Sequence, residues 1–215
     1  MNSQSMSRLR HLHETIAGMN CRTIIEIGTF SGHNACRLAK AAFRRNRSVC
    51  YHGFDLFESC GPEDLNPGST RQPQTQAEVA ARLRSLSKEV GRRPLWLRRD
   101  FRFELHQGYT EETLPAFRAE FPAVSADFIF IDGGHHVETI AHDWRWCSEM
   151  LSPGGVIFLD DYYDAADPAT LAEFGCNQLV ESLRQTPEWE VAVQPTADLN
   201  KKGRGIRVVK VQKRA

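Results

Sequence analysis

Two apolar runs that open directly onto acid constrain this chain more than any other feature. Asp127-Phe-Ile-Phe-Ile131 leads into Asp132, and Val156-Ile-Phe-Leu159 leads into Asp160 and Asp161. Runs of this length and composition read as buried parallel strands. Between them Val137, Ile140, Ala141, Trp144, Cys147 and Leu151 recur at helical spacing, and Ser152-Pro153-Gly154-Gly155 is expected to stop the helix and turn the chain. The crossover of a strand, helix, strand unit is right-handed, so both strand ends point the same way. Three carboxylates therefore gather at one sheet edge, where ligands of open α/β sheets bind.

The rest of the chain repeats the pattern. Leu9, Leu12, Ile16 and Met19 predict an amphipathic helix within residues 1–20, either packed across the sheet or forming a substrate wall. Thr23 to Ile27 is a short apolar strand, Gly28 to Gly32 a turn, and Ala35, Leu38, Ala39, Ala42 and Phe43 a helical stripe. Val49 to Phe54 is a strand ending at Asp55, and Leu56 to Thr75 is a Gly, Pro, Ser and Asn-rich loop at the same edge, a candidate lid. A helix at Val79 to Val90 precedes an ambiguous stretch in which Phe101, Phe103 and Leu105 alternate as a half-buried strand would. Thr110 is expected to cap a helix bearing Leu114, Phe117 and Phe121. A helix near Leu171 to Leu183 and two strands around Trp189 to Val193 and Ile206 to Val211 complete the chain, the strands as a terminal hairpin. The prediction is one domain over residues 1–215, α/β, doubly wound and Rossmann-like, with a seven-stranded mostly parallel sheet and a terminal antiparallel hairpin.

At 215 residues such a domain buries about 70% of the surface its unfolded chain exposes. Basic and acidic residues balance at 27 each, so no bulk charge favours a polyanion, and nucleic acid is not an expected partner. The arginine groups at Arg44 to Arg47, Arg92-Arg93 and Arg98-Arg99 lack interleaved aromatics and read as solvated surface. The six cysteines lack paired zinc spacing and fall mostly in apolar patterns, which suggests a reducing compartment. Without a secretory signal or an apolar run of membrane-spanning length, a soluble cytoplasmic protein with no membrane partner is expected.

Glycines in the turn Glu26-Ile-Gly28-Thr-Phe-Ser-Gly32-His-Asn34 allow close approach of a ligand, and the next helix offers free N–H groups. It lacks the third glycine of the dinucleotide fingerprint, and a tight structural turn is the simpler alternative. Asp55, at a strand end, suits the two hydroxyls of a ribose, or merely caps the loop.

Together with Gly108-Tyr-Thr110, Ile131-Asp-Gly-Gly-His135 and Leu159-Asp-Asp-Tyr162, these segments resemble the successive motifs of class I S-adenosylmethionine-dependent methyltransferases. The likeness is to small-molecule O-methyltransferases of the catechol type, and more closely to those acting on antibiotic sugars of macrolide and aminocoumarin pathways. It covers about Thr23 to Tyr163. The resemblance implies that Glu26, Gly28, Phe30, Ser31, Gly32 and Asn34 hold the methionine portion of the cofactor. Asp55 would take the ribose, Gly108, Tyr109 and Thr110 would border the adenine, and Asp132 would complete the cofactor site. Asp132, Asp160 and Asp161 would hold a divalent metal, with Asp161 where catechol enzymes carry Asn. His135 would be the catalytic base, with His136 as its control, and His142 a solvated surface residue. A homodimer is expected by the same resemblance.

Charge supports a cation independently, because three convergent carboxylates without a counter-charge repel one another. Oxygen ligands favour Mg²⁺, which could acidify a bound hydroxyl. The expected reaction is methyl transfer from S-adenosylmethionine to a small-molecule hydroxyl, on a sugar or polyol of a secondary metabolite. Alternatives are a metal-independent N- or O-methyltransferase, a nucleotide-dependent oxidoreductase, which leaves the acids unexplained, and a non-catalytic binding module.

Overall fold

The computed structural model describes residues 7–61, 64, 72–134, 136–164, 175–199 and 203–214. In chain order the elements are α1 (Arg10–Gly18), β1 (Thr23–Ile27), α2 (His33–Ala42), β2 (Ser48–Asp55), α3 (Gln76–Gly91), β3 (Asp100–Gln107) and α4 (Thr110–Glu120). They continue as β4 (Ala126–Ile131), α5 (Val137–Glu149), β5 (Leu151–Tyr163), α6 (Gly175–Arg184), β6 (Trp189–Val193), β7 (Asp198–Leu199) and β8 (Gly205–Lys213).

The strand order is β3-β2-β1-β4-β5-β8-β6, with the two-residue β7 paired to β8. The first five strands are parallel to their neighbours, and β8 runs antiparallel to both β5 and β6. The doubly wound, mostly parallel sheet with an antiparallel ending agrees with the pattern read from the residues. β7 is an addition, too short to leave a periodic signal.

Continuous apolar runs mark the central strands because helices cover both sheet faces. Ile24, Phe128 and Phe158 point into one core with Leu12 of α1, Leu38 of α2 and Leu83 of α3. Their neighbours Ile25, Ile129 and Ile157 point into the other with Phe117 of α4, Ile140 of α5 and Val180 of α6. Each such side chain contributes about 1.5–3 kcal/mol by leaving water. α1 packs across the sheet, with Leu12 and Ile16 fully buried.

Two local details depart from expectation. Tyr109, in extended conformation and without a side-chain cap, occupies the N-cap of α4, and Thr110 is its first helical residue. Ser152 to Gly155 form no free turn: β5 begins at Leu151, and the irregularity is absorbed as a register shift against β4. The Leu56 to Thr75 segment opens with a 3-10 turn at Phe57–Ser59 and closes on a capping box between Thr75 and Glu78. Residues 62, 63 and 65–71 of the candidate lid, and 171–174 of the expected sixth helix, lie outside the described residues. Among the described residues no helix is long and apolar enough to cross a membrane.

Candidate active site

The sheet order reverses direction at β1 and β4, so their C-terminal ends flank a crevice suited to a ligand. The turn after β1 lies against the end of β4. A Cβ at Gly28, whose φ is +85°, would sit 2.0 Å from the Asp132 carbonyl oxygen. No side chain fits there, which is the physical reason for glycine at the head of the turn. Phe30 in the same turn also has positive φ, at 49°, and its side chain is partly exposed.

Hydrogen bonds tie the turn to its neighbours. The Phe30 and Phe57 amides donate to the two Asp55 oxygens at 2.6 and 2.8 Å. These bonds aim the carboxylate at the edge and leave lone pairs for further donors. The Gly108 amide donates to the Asp55 carbonyl at 3.1 Å, bringing the Gly108-Tyr109-Thr110 segment alongside. Below the turn, buried Glu26 accepts from Tyr51 Oη at 2.5 Å and from Asn34 Nδ2 at 2.7 Å. Burial raises the Glu26 pKa to about 7, against the opposing pull of those two bonds. Asn34 Oδ1 also lies 3.1 Å from His13 Nε2, so α1 reaches the floor of the site.

Asp132, Asp160 and Asp161 do converge, beside a cleft that also involves Gly133, Tyr163 and Cys176. A bulge between β5 and β8 falls between Leu159 and Tyr162, and Asp161 has φ 57°. Bulges re-aim side chains, and this one directs two successive acids toward the site.

The expectation that these acids lack a counter-charge is overturned. Arg8 Nε and Nη2 donate to the two Asp160 oxygens at 2.7 Å each, Nη2 lies 3.6 Å from Asp161, and Nη1 donates to Asp198 at 3.0 Å. The fork geometry matches a carboxylate bidentately. Burial works to lower the Arg8 pKa, but hydrogen bonding and charge from Asp160, Asp161 and Asp132 hold it above its ordinary value. Burial, then the charges of Asp160 and Asp161, push Asp132 well above the usual carboxylate range. Burial also raises Asp160, with Arg8 opposing.

A divalent ion does not fit this arrangement. It would sit beside the full positive charge of Arg8, which already lies between Asp160 and Asp161.

Glu26, Gly28, Phe30, Ser31, Gly32, Asn34, Asp55, Gly108, Tyr109, Thr110, Asp132, Asp160 and Asp161 thus share one edge, while His135 lies outside the described residues. His142 is not a solvated residue: Trp146 Nε1 donates to its Nε2 at 3.1 Å, and its side chain is mostly covered. Sequence reasoning missed Arg8, His13 and Tyr51. Tyr51 alternates with the apolar residues of its strand and could have been noticed as a buried hydroxyl needing a partner. Nothing local marks Arg8.

The model of a family described as a methyltransferase domain matches residues 25–162. No curated protein matches the chain. Among solved structures, the O-methyltransferase TomG from Streptomyces achromogenes, involved in tomaymycin synthesis and bound to S-adenosylmethionine, is 19% identical with a TM-score of 0.65, covering 100% of this chain and 82% of that one. An O-methyltransferase from Bacillus cereus bound to S-adenosylhomocysteine is 16% identical with a TM-score of 0.63, covering 98% and 82%. The calicheamicin methyltransferase CalS11 is 17% identical with a TM-score of 0.57, covering 93% and 76%. At these identities the likeness is one of fold.

Proposed function

The chain belongs to the methyltransferase domain family, and on that premise we propose that it transfers a methyl group from S-adenosylmethionine to a hydroxyl of a small molecule. The observation that carries this reading is the β1 turn, with Gly28 backed onto Asp132 and Asp55 pinned by two amides at the next strand end. That pairing sets a tight backbone turn at the crevice beside an aimed carboxylate, which suits an amino acid joined to a ribose.

In this reading Glu26 and Asn34 bind the methionine end, Asp55 accepts from the ribose hydroxyls, and Gly108 to Thr110 border the adenine. The sulfonium is already an electrophile, so alignment of the hydroxyl supplies much of the rate. His135, three residues past Asp132, takes the hydroxyl proton as the oxygen attacks the methyl carbon in line and the thioether leaves. Arg8 neutralises the acids at the edge, and no step is routed through a metal. A sugar or polyol is the substrate class favoured by the motif resemblance.

Calorimetric titration of S-adenosylhomocysteine tests the cofactor assignment. Binding in the wild type, weakened in Asp55→Ala by at least about tenfold as expected for loss of charged hydrogen bonds, supports it. Absence of binding in the wild type refutes it. His135→Ala should lower turnover by about 10²–10⁴-fold with cofactor affinity intact, whereas His136→Ala should not.

A further inference from the structure

A second cluster of titratable groups lies on the face of β2 and β3 that carries α4. His52 and Glu104 are partners in the parallel register, and His106 lies two residues beyond Glu104 on the same side of β3. One donor atom from each of the three lies within 4.8 Å of the others. His52 Nδ1 is 3.5 Å from Glu104 Oε2. Both His52 Nδ1 and His106 Nε2 are buried without a hydrogen-bond partner. Buried nitrogens are rarely left unpaired, because each loses its water for nothing.

We propose that His52, Glu104 and His106 form a binding site for a borderline transition-metal ion such as Zn²⁺, which staples the edge strand β3 to β2.

Three observations support the assignment. Two imidazoles and one carboxylate form a donor set for zinc or its neighbours rather than for magnesium. Tetrahedral bonds of 2.0–2.2 Å require donors about 3.3 Å apart, close to the His52 to Glu104 separation. The imidazoles are also held in place. His106 stacks on Phe54 at 4.4 Å, His52 packs against Phe117 at 4.8 Å, and Cys50 Sγ lies 3.5 Å from His52 Nε2. In the tautomer whose Nε2–H donates to Cys50 Sγ, the Nδ1 lone pair is left for a metal. The Glu104 side chain is half exposed, which leaves an entry path. The site is independent of the methyl-transfer reading.

The test is titration of tag-free protein with Co²⁺ alone, read by visible d–d absorption, followed by displacement with Zn²⁺. The expected result is one equivalent bound. Glu104→Gln and His106→Ala should each weaken affinity by at least about tenfold, the lower bound for losing even an outer-shell partner. Glu104→Gln alters a half-exposed side chain, so it keeps the test meaningful if His106→Ala folds poorly. No Co²⁺ binding by the wild type, or binding that neither substitution weakens, overturns the proposal.

Discussion

At the ends of β4 and β5 three carboxylates crowd together and an arginine 152 residues from Asp160 supplies counter-charge, whereas on β2 and β3 two buried imidazole nitrogens lie near a carboxylate without a hydrogen-bond partner. The first cluster is conspicuous in the sequence as acid following apolar runs. The second is hidden in strand alternation. Their difference teaches that charge density alone does not define a cation site. What matters is whether the donor atoms are already satisfied once the chain has folded, and at Asp160 they are.

The largest effect separating the two regions should come from Arg8→Ala. It strands Asp160, whose side chain is almost fully buried, and should cost about 3–5 kcal/mol in urea unfolding, the range for breaking one half of a buried pair. Mg²⁺ should then stabilise the variant and not the wild type. Equal stability of variant and wild type, or Mg²⁺ stabilisation of the wild type, would show that the guanidinium is not the resident cation. Arg8→Lys should recover only part of the loss, because an ammonium cannot reproduce the fork.

The next effect concerns pH at the floor of the candidate site. Burial raises the Glu26 pKa from 4.5 to about 7. The native state therefore binds the proton more tightly than the unfolded chain. This contribution is complete below pH 4.5 and is lost as pH rises through 7, by roughly 3 kcal/mol at 1.36 kcal/mol per pH unit. Glu26→Gln should flatten that part of the stability profile, measured as the urea midpoint between pH 4.5 and 7.5. An unchanged slope would place its origin elsewhere.

The imidazole cluster should respond in the opposite direction and more weakly. His106 falls from 6.5 to about 4, chiefly by burial with a smaller contribution from His52, so its share of stability is present above pH 6.5 and disappears as pH falls through 4. Its partial exposure to water reduces the effect to about 1–2 kcal/mol. In metal-free protein His106→Phe should lose less stability than the wild type between pH 6.5 and 4, and circular dichroism melts would check it. A wild type whose stability rose on acidification over this range, with Glu26→Gln in the background, would contradict the neutral-imidazole assignment.

Much of the fold was legible because burial on both faces of a parallel strand leaves an apolar run that needs no tertiary knowledge to see. Ile24 and Ile25, or Phe130 and Ile131, are apolar for separate cores. β3 was harder to read because at the sheet edge it alternates, with Phe101 buried and its neighbour Arg102 exposed. The acids at the candidate site were visible as residues, but the bulge that aims Asp160 and Asp161 was not. A one-residue irregularity between β5 and β8 has no sequence period. His52 and His106 were passed over because in sequence they sit 54 positions apart in different strands, and only register brings them together.

By itself the sequence determined the layered architecture, the strand ends at which ligands gather, and the glycine-bearing turn after β1. Those are consequences of local periodicity and of the steric limits of single residues. Only the tertiary structure decided which charges are paired and which donors are left over. Hydrogen bonding and ion pairing act over about 3 Å in space, and the partners that satisfied Asp160 or failed to reach His52 are set by chain crossings that no local pattern encodes.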